Sequence, residues 1–225
     1  GVTGSHGISV SLNPKLPYHP IRDFAPISML VSTSLVLVVG PQFPANTLAE
    51  YVTYAKGRPE QVTHSSPGNG TSMHLTGEMF AQAARVNLTP IPYRGSAQAM
   101  TDLMSGQVRS SFADLLVMLP QIRAGTVRAL AVTSRTRNAL LPDVPTMAEA
   151  GVDAPFPGQW WAVVAPQQTP RAVIQFLNQR IGEFMRTPEM QERLGGMGGR
   201  SAAPTAEAGR YCFDLSAPIV AARSR

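Results

Sequence analysis

The sequence predicts an α/β protein built around a largely parallel sheet. Three observations carry this: β-branched runs alternate with helix-period runs from residue 35 to 133, the connections are short, and glycine or proline marks nearly every one. The most informative connection is Ser65-Ser66-Pro67-Gly68-Asn69-Gly70-Thr71-Ser72-Met73-His74-Leu75, where a strand end passes through a glycine turn straight into a helix.

Taken in order, Leu35-Val36-Leu37-Val38-Val39 is apolar without alternation, as a strand buried on both faces must be, and Gly40-Pro41 closes it. Thr47 and Glu50 have capping-box spacing and open a helix that Gly57 and Pro59 stop. A strand over 62–65 feeds the glycine loop. Thr71 or Ser72 then caps a helix over 72–85, with Leu75, Met79 and Ala83 as the expected apolar stripe. Leu88 to Tyr93 reads as a strand, and Ser96 to Ser105 as a helix with Met100, Leu103 and Met104 on one side. Val108 to Phe112 is a further strand, Leu115 to Ala124 a short helix ended by Gly125, and Arg128 to Thr133 the fifth strand.

Beyond it, Pro145 and Gly151 bracket a short expected helix, and Trp160 to Ala165 reads as a strand. Thr169-Pro170 caps and opens the longest helix, with Val173, Leu177, Ile181 and Phe184 as its apolar face. Thr187-Pro188 begins another short helix to Leu194, and Gly195-Gly196-Met197-Gly198-Gly199 is expected to be a loop.

With 225 residues, 44% hydrophobic and 15% charged, the chain can bury a substantial core as one large or two small domains. Its net charge of +5 fits an anionic ligand. The arginines are scattered and no basic run exceeds Arg135-Thr136-Arg137, so nucleic acid is not an expected partner. Cys212 is the single cysteine, which excludes an internal disulfide and a CxxC metal or redox motif. The first seven residues lack the basic start and apolar run of a signal peptide.

Chemistry concentrates at the glycine loop. The free N–H groups and partial positive charge of a helix start favour a carboxylate or phosphate by about 0.3–1 kcal/mol. A P-loop would need Gly-Lys-Ser/Thr after the glycines, and a dinucleotide fingerprint a third glycine where Met73 stands, so no nucleotide cofactor is expected. No G-x-S-x-G elbow or H-E-x-x-H motif occurs, and His6, His19, His64 and His74 lack metal-ligand spacing. His74, in the first helical turn, can donate to a ligand or simply pack. Asp114 can accept from a ligand amine, hold a water, or cap the helix that follows. In a parallel sheet, loops 65–72, 93–97 and 112–116 converge beyond the strands' carboxyl ends. They offer hydrogen-bond donors and the Arg94 counter-charge but no nucleophile beside a base, which favours binding over catalysis.

The ordered segments Lys15-Leu16-Pro17-Tyr18, Arg22-Asp23-Phe24-Ala25-Pro26-Ile27-Ser28, Ser66-Pro67-Gly68-Asn69-Gly70-Thr71, Pro92-Tyr93-Arg94-Gly95-Ser96-Ala97, Ile122-Arg123-Ala124-Gly125, Arg128-Ala129-Leu130-Ala131-Val132-Thr133 and Leu141-Pro142-Asp143-Val144-Pro145-Thr146 closely resemble the Bug/TctC family. These are periplasmic solute-binding receptors of tripartite tricarboxylate transporters, and the resemblance runs from residue 1 to about residue 207. It implies a periplasmic-binding-protein-like fold, two α/β lobes with a cleft that closes on a small carboxylate. Residues 1–37 with 159–225 are the expected first lobe and 38–158 the second, with 29–37 and 157–164 as crossing strands.

Carried residue by residue, the family's first-lobe loop falls on Val2 to His6, which makes Thr3, Ser5 and His6 ligand contacts. The second-lobe loop gives Ser65, Ser66, Gly68, Gly70, Thr71 and His74, and the Tyr-Lys/Arg-Gly-Ser turn gives Tyr93, Arg94 and Gly95. The strand-end motif, often Phe-Asp-Asn in the family, reads Phe112-Ala113-Asp114, leaving Ala113 at the acidic position with Asp114 as a possible substitute. The expected role is non-enzymatic, without cofactor or metal: capture of a mono-, di- or tricarboxylate in the periplasm for a membrane permease. The alternatives are a receptor that presents its closed form to a signalling partner, and a small α/β enzyme acting on a carboxylate. The resemblance also implies a chain shortened at the N-terminus, with an incomplete first lobe and a C-terminal end unlike the family's acidic, Trp-containing helix.

Overall fold

The computed structural model describes residues 8, 13, 15–20, 22–58, 61–197 and 200–201. Its contacts divide the chain into two compact units, one running from Ser34 to Gly158 and the other formed by the segments before and after it.

In the unit 34–158, five strands form one sheet: β2 (Leu35–Val39), β3 (Thr63–Ser66), β4 (Thr89–Pro92), β5 (Ser110–Asp114) and β6 (Arg128–Val132). Their order is β4-β3-β5-β2-β6. The helices between them are α1 (Leu48–Gly57), α2 (Ser72–Ala84), α3 (Ser96–Ser105) and α4 (Leu115–Arg123). Alternate residues of β2 feed opposite cores. Leu37 and Val39 join Leu48 and Tyr51 of α1 and Phe80 of α2. Val36 and Val38 join Leu103 of α3 and Leu115, Met118 and Leu119 of α4. All five β2 residues are fully buried, the physical reason for its unbroken apolar run.

The sheet is mixed, which corrects the largely parallel expectation at one strand. β3 pairs in parallel with both β4 and β5, whereas β2 is antiparallel to both β5 and β6. A parallel pair needs a crossover between its strands, which α2 supplies between β3 and β4. β2 is joined to β3 by α1 yet runs opposite to it, since β3 is parallel to β5 and β2 is antiparallel to β5.

Three further expectations are corrected. Helix α2 buries Ser72, Thr76, Gly77, Phe80 and Ala84, while Leu75 and Met79 are half-buried and Ala83 is exposed. Small residues let this helix lie close to the sheet. The helix expected between Pro145 and Gly151 is a single turn: Thr146 bridges to Val132, with Val132 N–H donating to Pro145 O and Met147 N–H to Val132 O. That pairing holds the chain extended where a helix would have to begin. The long helix α5 (Arg171–Met185) starts one residue later than expected, with Pro170 at the N-cap position and no side-chain cap.

The other unit has a three-stranded antiparallel sheet ordered β7-β1-β8, formed by β1 (Phe24–Thr33), β7 (Gln159–Pro166) and β8 (Arg200–Ser201). Asn178 Nδ2 of α5 donates to Ile27 O of β1 at 2.6 Å. The face of α5 turned inward is therefore Ile174, Leu177, Asn178, Ile181, Gly182 and Met185, whereas Val173 and Phe184 of the expected stripe are exposed. Asn178 and Gly182 take inward positions that an apolar stripe does not mark. Helix α6 (Pro188–Gly196) is capped by the Thr187 hydroxyl accepting from Met190 N–H, and it continues through Gly195 and Gly196, which the sequence placed in a loop.

Candidate functional site

The carboxyl ends of β3, β4 and β5 share one edge of the sheet. Because β2 is antiparallel, its amino end lies there too: Leu35 pairs with Asp114, and Leu115 N–H donates to Ser34 O at 3.3 Å.

At this edge β3 ends at Ser66, and the chain turns through Gly68 at φ 129° and Gly70 at φ 82°. Side chains at those angles are strained, so glycine at both positions follows from the backbone path. Thr71 is the N-cap of α2, its hydroxyl accepting from His74 N–H at 3.3 Å. The Gly68 carbonyl gathers the loop by accepting from the Thr71 hydroxyl at 2.9 Å, the Ser66 hydroxyl at 3.2 Å and Thr71 N–H at 3.4 Å. Both candidate hydroxyl protons are thus spent within the loop. Among the described residues, the N–H groups of Asn69, Gly70 and Met73 meet no protein acceptor. Of these, Met73 lies in the first turn of α2, where partial positive charge accumulates.

The neighbouring candidates divide. Tyr93 N–H donates to Ser66 O at 2.7 Å, tying the two strand ends together. The Tyr93 hydroxyl donates to Asp102 Oδ2 of α3 at 2.8 Å, and burial with that carboxylate pushes its pKa up to about 12. Arg94 and Gly95 are exposed, and no carboxylate pairs with Arg94 among the described residues. Asp114 is only 4% exposed. It caps α4 by accepting from Leu116 N–H at 3.0 Å; burial raises its pKa to about 6, and the Leu116 bond partly opposes this. Ala113 is buried beside it. Ser65 is buried away from the loop, its hydroxyl donating to Ser111 Oγ at 2.8 Å. His74 is half-buried, with Nε2 3.8 Å from Glu78 Oε1. Thr3, Ser5 and His6 lie outside the described residues.

Sequence reasoning passed over the layer beneath the loop. His64 of β3 is fully buried, and neither ring nitrogen finds a hydrogen-bond partner. Burial, with the nearby His74, holds its pKa down to about 4, so the ring is neutral. Its edge packs on Phe112 at 5.9 Å between centroids. Beside it the Tyr51 hydroxyl lies 2.8 Å from Ser110 Oγ, which donates to Thr63 O at 3.1 Å. Polar residues inside a strand were the available signal. Among the described residues no group of three or more His, Cys, Asp or Glu side chains could hold a metal ion.

Residues 4–208 match the family model described as the tripartite tricarboxylate transporter family receptor. The chain is 34% identical over 191 residues to Protein BugT of Bordetella pertussis, covering 85% of this chain and 59% of that protein. It is 36% identical over 198 residues to a protein encoded in the tcbD-tcbE intergenic region of Pseudomonas sp. strain P51, covering 86% and 58% respectively. It thus spans somewhat under three fifths of the length of these curated relatives. Among solved structures, R. palustris Rpa4515 with adipate superposes with a TM-score of 0.90 at 29% identity, covering 99% of this chain and 75% of the other. The periplasmic binding protein BugD gives 0.90 at 32%, covering 98% and 74%. MatC from Rhodopseudomonas palustris with bound malate gives 0.86 at 28%, covering 98% and 77%. These matches assign the fold to the periplasmic-binding-protein type, and the chain belongs to the Bug/TctC family of tripartite tricarboxylate transporter receptors.

Proposed function

We propose that the whole protein is a periplasmic receptor that captures a small mono-, di- or tricarboxylate and delivers it to the membrane permease of a tripartite tricarboxylate transporter. The observation that carries this reading is the start of α2, where the N–H groups of Asn69, Gly70 and Met73 have no protein acceptor among the described residues. A carboxylate placed there takes hydrogen bonds from groups already oriented by Thr71 and Gly68, and the helix start favours its charge. Relatives solved with adipate and with malate support the ligand class.

In this reading Ser66, Gly68, Gly70 and Thr71 shape the carboxylate cradle, with Ser65 behind it. His74 and the exposed Arg94 supply further donors, and Tyr93 and Gly95 set the adjoining turn. Asp114, beside Ala113, accepts from a hydroxyl or amine on the ligand. In this reading binding proceeds without turnover, in keeping with the receptor family to which the chain belongs.

Calorimetric titration with adipate, malate, citrate, succinate, glutamate and nicotinate tests the proposal. Saturable binding of at least one acid, unchanged on recovery, is expected. Absence of heat with all of them, or conversion of one, overturns it.

A further inference from the structure

Arginines that are scattered in the sequence are gathered by the topology at one edge of the sheet in the unit 34–158. Strands β4, β3 and β5 are adjacent and parallel, so their amino ends share the edge opposite the glycine loop. Each is entered from a helix, and each entry carries an arginine: Arg58 between α1 and β3, Arg85 between α2 and β4, Arg109 between α3 and β5. Lys56, in the last turn of α1, adds a further cation. The backbone fixes these positions. Arg109 N–H donates to Thr63 Oγ1 at 3.1 Å, Thr63 pairs with Thr89 of the next strand, and Arg85 is the left-handed C-cap of α2 at φ 54°.

All of these side chains are exposed, and among the described residues no carboxylate pairs with any of them. Glu60, in the Arg58 connection, lies outside the described residues and subtracts at most one charge. Helices α1, α2 and α3 end at this edge, and each helix end contributes about half a negative charge. The edge therefore keeps a net positive charge. At about 4.8 Å per strand the three entries span roughly 10 Å. That is close to the Debye length of about 8 Å at physiological ionic strength, so an approaching surface meets the charges together.

Single cations presented from three separate connections suit many anionic groups on a plane; one small anion needs donors that converge on a point. We propose that this edge docks electrostatically on a bilayer face rich in anionic phospholipid headgroups, holding the receptor at the membrane while the glycine loop, at the other end of the strands, stays open to ligand. The choice of a bilayer over other polyanions rests on the receptor reading above, since a receptor that delivers to a permease works beside a bilayer; the charged edge itself does not depend on that reading.

Sedimentation of the full chain with vesicles of phosphatidylglycerol and phosphatidylcholine in equal parts tests it. No carboxylate is added, so the result is independent of ligand capture. The chain should bind these vesicles, release at high salt and ignore phosphatidylcholine alone. Arg85→Glu/Arg109→Glu should lower affinity at least about tenfold, and the milder Lys56→Gln/Arg58→Gln should lower it less. Arg171→Glu/Arg193→Glu makes the same change in net charge on exposed residues of the other unit and should change binding little. Thermal melts check that all three variants fold. Absence of sedimentation, equal binding to phosphatidylcholine alone, equal loss in Arg171→Glu/Arg193→Glu, or capture by immobilised polyglutamate without vesicle binding overturns the proposal.

Discussion

The His64 ring of β3 lies directly against Gly77 of α2, so close that a Cβ on Gly77 would fall 2.5 Å from its Cε1 atom. Both residues are buried, and the ring is also held by Phe112. Gly77→Ala should therefore destabilise the protein although alanine is the better helix former. Overpacking costs about 1–3 kcal/mol against a helix-propensity gain of about 0.5–1. Urea unfolding should show a net loss of about 1–2 kcal/mol. A gain would mean that the ring yields freely and that the contact does not set the seat of α2.

His64 and Asp114 should give acid stability curves of opposite sign. The folded pKa of His64 is lowered from 6.5 to about 4, so the unfolded chain takes up this proton first. Its contribution is full above pH 6.5 and is lost as pH falls toward 4. Asp114 is raised from 3.8 to about 6, so its contribution is full below pH 3.8 and is lost as pH rises through 6. The two nearly cancel in the wild type. His64→Leu should become more stable on acidification from pH 6.5 to 4, and Asp114→Asn less stable, each by up to about 1.4 kcal/mol per pH unit. Chemical denaturation across that range reads both; parallel curves for the two variants would contradict the assignment.

For ligand capture, Gly70→Val should be far more damaging than His74→Ala. At φ 82° a β-branched residue forces the loop to shift, moving the N–H groups proposed to take the carboxylate. Each hydrogen bond to a charged group is worth about 1.5–3 kcal/mol, so affinity should fall at least tenfold while the melting temperature still reports a folded chain. The imidazole of His74 sits a turn further on, and its loss should cost less. Calorimetry with a bound carboxylate compares the two; equal affinities for wild type and Gly70→Val would remove this loop from the site.

The Thr71 hydroxyl both accepts from His74 N–H and donates to Gly68 O. Thr71→Ala should therefore lower stability by about 0.5–2 kcal/mol and loosen the loop, weakening carboxylate binding as well. Thr71→Ser keeps the cap and should restore most of both. Thermal unfolding and calorimetry on the same pair of variants check this, and a Thr71→Ala variant with unaltered affinity would separate the cap from ligand binding.

The glycine loop was legible because its signals are local. A cap at Thr71 and positive φ at Gly68 and Gly70 depend on only a few consecutive residues, and so does the unbroken apolar run of β2. The family, too, was readable from ordered short motifs. Which side chains at the strand ends remain available was not legible. Tyr93 turns its hydroxyl to Asp102, and Ser65 gives its own to Ser111, a residue 46 positions away.

By itself, then, the sequence determined the helix start, its glycine turn and the succession of strands and helices, since each arises from backbone preferences and side-chain spacing within one segment. Only the tertiary structure decided that β2 runs antiparallel, that α2 docks on His64 through Gly77 rather than through Leu75 and Met79, and that Thr146 is drawn into pairing with Val132. Those outcomes depend on close packing and hydrogen-bond completion between segments far apart in the chain, and no local pattern encodes which distant partner satisfies them.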